Sequence, residues 1–250
     1  MPKYKVTVAY DGTDYAGWQL QPGHSTIEGV LRATFTKIFK AECSILGASR
    51  TDAGVHALGN VLRIETDLAV DAQKLMYAMN NILPSDILIK DAARDEDFHP
   101  FYNVMAKEYH YHFFTQQPLP FFAPYGWFVP QPIDYKKLQA VLELYQGTYN
   151  FSQFSSTDDS REDKIRTIDK VYWQKDALFG SEKIVVIGKK FLHTMVRRMV
   201  GTALYVATQP HATVEVVQQM LEQQLKTDYT LKAPAHGLML HAITYHNKNI

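Results

Sequence analysis

The chain has 250 residues, 46% apolar and 21% charged, so it can bury one large core or two of ordinary domain size and is too apolar to be disordered throughout. Lys plus Arg and Asp plus Glu stand at 26 each, which argues against indiscriminate nucleic-acid binding but leaves room for a local basic groove. The single cysteine, Cys43, excludes an intrachain disulfide; with no signal-like opening and no run near the ~20 apolar residues of a membrane helix, a cytoplasmic protein without membrane contact is expected.

Along the chain, "KYKVTVAY" alternates, with Tyr4, Val6, Val8 and Tyr10 on one face, and predicts a strand closed by the turn pair Asp11-Gly12. "STIEGVLRATFTKIFK" predicts a helix, with Ser25 and Glu28 as a capping box. "LGNVLRIET" and "DILIKDA" predict strands, and "DAQKLMYAMNNIL" predicts a helix stopping before Pro84. "KEYHYHFF" reads as an aromatic strand. The prolines of "PLPFFAPYGWFVPQP" make it an extended connection. "DYKKLQAVLELYQG" is a helix capped at Asp134, and "NFSQFSSTDDSREDK" a polar loop. "IRTIDKVYWQ" and "KIVVIGKK" are paired strands. "LHTMVRRMVGTALYVAT" and "TVEVVQQMLEQQLK" are helices, and "LMLHAITYH" is a final strand. The result is an α/β (α+β) chain of two modules of related plan, 1–104 and 105–250.

Charge is uneven along this order. Residues 161–203 carry ten Lys or Arg against five Asp or Glu, a surplus of +5, and are the place to look for phosphate contacts. His110 and His112 share one strand face, but no third ligand and no Cys-x-x-Cys pair accompany them, so no metal site is expected. The absence of Gly-x-Gly-x-x-Gly, P-loop and Gly-x-Ser-x-Gly patterns gives a bound nucleotide or a serine nucleophile no support.

Two stretches carry chemistry. "GASRTDAGVHALG" holds one carboxylate, Asp52, among small residues that let a backbone or ligand approach closely. Arg50 and Asp52 point the same way if the segment is extended; a structural Arg–Asp pair in a turn and a presented nucleophile both fit. "FLHTMVRRMVGTAL" sets Arg197 and Arg198 about 100° apart on an apolar helix, so one of them lies near the buried face and needs an anion.

The ordered blocks "YDGTDYAGWQLQP", "GASRTDAGVHALG", "NNILPSDI", "FHPFYNVMAKEYHY", "FLHTMVRRMVG" and "APAHGLML" resemble the bacterial tRNA pseudouridine synthase A family from about Tyr4 to Tyr245. The resemblance implies two α/β subdomains whose sheets join into one mixed, mainly antiparallel sheet flanked by helices. It implies a homodimer that isomerises uridine to pseudouridine at positions 38–40 of the tRNA anticodon stem-loop, without cofactor or metal. By motif correspondence, Asp52 is the nucleophile and Arg197 the cation that pairs with it. Tyr109 stacks on the target base, Arg50 supports base flipping, and Leu238 lines the pocket. A non-catalytic tRNA-binding paralogue is the alternative. The chain departs from the family where Phe98-His99-Pro100-Phe101 replaces the usual Phe-His-Ala-Arg, and where Asp158, Asp159, Glu162 and Asp163 make the loop before "IRTI" acidic.

Overall fold

The computed structural model describes residues 1–157, 159–176, 180–225 and 231–246. They group into two compact units. The first is Met1–Met105 with the segment from Met239 onward, and the second is Ala106–Leu238.

In the first unit, strand β1 (Lys3–Tyr10) buries every second residue, as its alternation predicts. Helix α1 (Ile27–Phe39) follows, then β2 (Ser44–Gly47), β3 (His56–Glu65), α2 (Ala72–Asn80) and β4 (Ile87–Arg94). β1 lies antiparallel between β3 and β4, with Val6 opposite Leu62 on one side and Ala92 on the other. Tyr4, Val6, Leu31, Phe35, Ile64, Leu75 and Met79 are fully buried and form this unit's core. Each such side chain contributes about 1.5–3 kcal/mol.

The start of α1 differs from expectation. Thr26, not Ser25, is the N-cap: its backbone is extended and its hydroxyl accepts from Gly29 N at 3.2 Å. Ser25 is engaged otherwise, its carbonyl accepting from Ala16 N. Glu28 turns away from the cap to Arg32, Gln19 Nε2 and Leu20 N. The cap of α2 is Asp71, accepting from Gln73 N and Lys74 N, and that helix gives way at Asn81, before Pro84.

The second unit runs along β5 (Val104–Phe114), β6 (Trp127–Phe128), α3 (Tyr135–Tyr145), β7 (Gly147–Asn150), β8 (Ile165–Asp176), β9 (Ser181–Gly188), α4 (Met195–Thr208) and α5 (Val214–Leu221). Its first strand begins two residues earlier, in the other unit. β9 is antiparallel to both β5 and β8, and β8 to β7. Tyr111, Phe113, Leu138, Tyr145, Phe151, Phe154 and Val186 fill the core. Asp134 caps α3 as expected, through Lys136 N and Lys137 N. The proline-rich stretch is not extended throughout: it holds a 3₁₀ turn at Ala123–Tyr125 and the short β6, parallel to β5. Helix α5 stops at Leu221, short of the predicted end; Lys226 and Asp158 lie outside the described residues.

The last strand, β10 (Leu238–Tyr245), pairs parallel with β3, Met239 opposite His56 and Leu240 opposite Ala57. It thus shares one edge of β3 with β2, which covers Leu62–Glu65. In ladder order the strands run β4-β1-β3-β10-β5-β9-β8-β7, with β2 on β3 and β6 on β5. This is the single mixed, mainly antiparallel sheet flanked by helices that the resemblance implies. No helix among the described residues is long and apolar enough to cross a membrane.

Candidate active site

The Asp52 loop is pinned residue by residue. Ala48 N donates to Val61 O at 2.7 Å as the chain leaves β2. Ser49 offers its carbonyl to Asn60 Nδ2 at 3.0 Å, and Thr51 Oγ1 lies 2.8 Å from Tyr10 OH. Ser49 and Thr51 are buried, while Arg50 between them is exposed. Anchoring two residues of alternating chain throws the middle one outward. Asp52 follows, half-buried, on a turn closed by Val55 N donating to Asp52 O at 3.2 Å.

The block "YDGTDYAGW" forms the opposing wall. Trp18 N donates to Thr51 O at 3.1 Å and Gly54 N to Tyr15 O at 3.3 Å. Glycines permit this approach. A Cβ on Gly12 would run into the Val55 carbonyl, and one on Gly17 would sit 2.7 Å from Thr51 O at a φ of +93°. Gly47 has the Trp18 ring 2.5 Å from where its Cβ would be. His56, buried, has its Nδ1 3.0 Å from both Gly12 N and Asp11 Oδ1. Tyr15 OH donates to Asp86 Oδ1 at 2.8 Å, and burial with that carboxylate pushes the phenol far above its ordinary range. The sequence reading singled out Asp52 and Arg50 but missed Tyr10, Trp18, Thr51 and Asn60, which hold them. The signal lay in the glycine spacing of "YDGTDYAGW", used there only as a family mark.

In the second unit, Arg197 lies in the first turn of α4, half-buried. Its Nε donates to Ala233 O at 2.9 Å, and Ala233 N returns a bond to Arg197 O at 3.1 Å. A Cβ on Gly201 would strike the Leu231 carbonyl, so this helical glycine makes room for segment 231–233. Arg198, also half-buried, turns its Nε to Thr194 Oγ1 at 3.2 Å. The chain then passes Pro234, whose carbonyl accepts from Tyr111 OH at 3.0 Å, and a 3₁₀ turn before Leu238, which is buried. Tyr109 is 7% exposed, and Phe191 meets it edge-on at 5.1 Å between ring centroids. Three blocks far apart in sequence therefore converge in this unit: "AKEYHYH", "FLHTMVRRMVG" and "APAHGL".

The remaining candidates fall out differently. His110 Nε2 sits 2.7 Å from Glu108 Oε1, and His112 Nδ1 3.1 Å from Ser181 Oγ, so each imidazole has its own polar partner. The basic surplus of residues 161–203 is partly spent inside the fold, Lys183 on Asp176 and Arg161 and Lys164 on Asp159. Lys189 and Lys190, just before α4, remain exposed. Burial and the Arg161 charge push the Lys107 ammonium down to about 8.

The profile of a family described as "tRNA pseudouridine synthase" matches residues 6–103 and 141–246. This chain belongs to the tRNA pseudouridine synthase family. A "tRNA pseudouridine synthase A" of an Exiguobacterium species is 36% identical over 248 residues, 98% of each chain. One from a Thermoanaerobacter species is 35% identical over 98% of this chain and 100% of its own. A "tRNA pseudouridine synthase A 1" of Protochlamydia amoebophila is 34% identical over 98% and 97%. As a pseudouridine synthase the chain is an isomerase that modifies RNA. The matched stretches contain Arg50, Asp52, Arg197 and Leu238, whereas Tyr109 falls between them.

Proposed function

We propose that this protein isomerises uridine to pseudouridine in the tRNA anticodon stem-loop, positions 38–40, with Asp52 as the nucleophile. The observation that carries the reading is the single half-buried carboxylate on a loop anchored at Ser49 and Thr51, with Arg50 turned out beside it. In the reaction the N1–C1′ bond breaks, a C5–C1′ bond forms, the C5 proton leaves and N1 takes a proton up. No electrons are gained or lost overall, and one carboxylate that bonds and departs is sufficient. It can add to C1′ or C6, or assist loss of the 2′ proton by a glycal route.

A stacked uridine costs a few kcal/mol to flip out, and an aromatic side chain recovers about 1–3 kcal/mol per base. We assign that stacking to Tyr109, with Leu238 as apolar lining and Arg50 as the support for flipping. Arg197 is the cation that keeps Asp52 ionised against the desolvating base. We place the enzyme in the cytoplasm as a homodimer, with subdomains divided near 104–105.

The test is to incubate the purified protein with unmodified tRNA and map pseudouridine. Asp52→Asn should make none while binding tRNA as before; C5-tritium release by that variant would sink the assignment. Binding without product in the unaltered protein would point to a tRNA-binding paralogue instead. Tyr109→Phe should keep stacking and slow single-turnover product formation if its hydroxyl moves the C5 proton, and an unchanged rate rejects that role.

A further inference from the structure

Asp159 belongs to the acidic loop that departs from the family pattern, yet its side chain is only 2% exposed. Arg161 grips it with two bonds, Nε to Oδ1 at 2.8 Å and an Nη to Oδ2 at 2.6 Å. Such a fork is geometrically specific and roughly twice as strong as a neutral hydrogen bond. Lys164 Nζ adds a contact at 3.4 Å to Oδ1 and a bond at 2.6 Å to the Asp159 carbonyl. The Arg161 hydrogen bond, first among several causes, holds the Asp159 carboxyl far below the ordinary carboxylate range.

The same cluster grips the turn before α4. His193 N donates to Asp159 Oδ2 at 2.8 Å. A second Arg161 Nη donates to Phe191 O at 3.0 Å, and Ser156 N donates to His193 O at 3.0 Å. That turn needs outside support. Thr194, a β-branched residue, sits at φ +60°, a conformation costing about 1–3 kcal/mol that persists only where the surroundings impose it. As N-cap of α4 it makes no side-chain capping bond. The direction in which α4 sets out, three residues before Arg197, is therefore fixed by the loop. So is Phe191, whose ring meets Tyr109.

We propose that Asp159 is a positioning residue of the uridine pocket: its carboxylate locks the Phe191–Thr194 turn, which sets the Phe191 ring on Tyr109 and the first turn of α4 that bears Arg197. The inference rests on the roles proposed above for Tyr109 and Arg197. It makes the acidic loop part of the site's framework, its Asp159 charge matched by Arg161 and Lys164.

The experiment measures single-turnover pseudouridine formation, tRNA affinity and melting temperature for Asp159→Asn, Arg161→Gln, Phe191→Leu and the Asp159→Asn/Phe191→Leu double variant, with Asp52→Asn alongside. Misplacing reacting groups by about 1 Å costs up to ~100-fold, so Asp159→Asn and Arg161→Gln should each slow turnover about 10- to 100-fold with tRNA affinity unchanged. The double variant should be no slower than the slower single, because the Phe191–Tyr109 contact already depends on the turn that Asp159 locks. Wild-type speed in Asp159→Asn, fully multiplicative losses in the double variant, or a loss that follows tRNA affinity would each overturn the inference. If Asp159→Asn fails to fold, Arg161→Gln decides by the same criteria. Asp159→Asn at full speed beside an inactive Asp52→Asn removes only this inference; Asp52→Asn at full speed removes the reading of the site and the inference together.

Discussion

The Asp52 loop and the entry to α4 are both held tightly, but by opposite means. The loop rests on neutral groups: Tyr10 on Thr51, Asn60 on Ser49, backbone amides on carbonyls, and glycines where chains touch. The α4 entry rests on ions, with Asp159 between Arg161 and Lys164. The neutral hydrogen bonds on Ser49 and Thr51 hold the loop without adding a net charge to it. An ionic clamp is stronger per bond, but each ion acts on its neighbours: the Arg161 charge adds to the burial that lowers the Lys107 amine.

The sharpest way to break this contrast is steric. Gly12→Ala drives a methyl into the Val55 carbonyl, a backbone atom with nowhere to go. It should destabilise by about 1–3 kcal/mol or more, read from the denaturant midpoint, and should abolish activity even where the protein stays folded. Full activity in a folded Gly12→Ala protein would show that the loop does not depend on this wall.

A smaller effect is expected from Thr51→Val, which keeps the shape and removes the hydroxyl that meets Tyr10 OH. The cost should be about 1–3 kcal/mol in chemical denaturation, recovered by Thr51→Ser. Raising salt should leave that cost unchanged, since neither group is charged; a strong salt dependence would contradict a neutral cradle.

The smallest concerns Lys107. With its folded-state value lowered to about 8, against about 10.4 when unfolded, the unfolded chain binds more protons between those values. This group's contribution therefore makes stability rise as pH goes from 8 to 10, its penalty being fully present below 8. Lys107→Met should flatten that slope and raise the melting temperature slightly at pH 7. Identical slopes in the two proteins would show that Lys107 carries no such strain.

How much of this the sequence displays depends on how far apart the interacting residues lie. Strand β1 and the Asp71 and Asp134 caps announce themselves within a few positions. Ser25 and Thr26 are adjacent hydroxyls, and only the folded backbone, which starts α1 at Ile27, makes Thr26 the cap. β2 and β7, at four residues each, are too short for a period to appear. Asp52 and Arg50 stand out in a small-residue loop, and Arg197 on an apolar helix. Asn60 and Tyr10 look like ordinary strand residues because their partners Ser49 and Thr51 are 11 and 41 positions away. The place of Asp159 is hidden for a different reason: the sign of a charge says nothing about whether an arginine already holds it.

The parallel pairing of β10 with β3 has a consequence for the order in which the polypeptide is made. His56 and Ala57, which open β3 just after the Asp52 turn, receive their neighbours on that edge from Met239 and Leu240. A ribosome releases the strand that follows the Asp52 turn long before it releases the strand that pairs beside it. Throughout that interval the nascent chain carries Asp52 beside an unfinished ladder. That ladder is thus completed late in translation, when the chain closes back on the unit it built first.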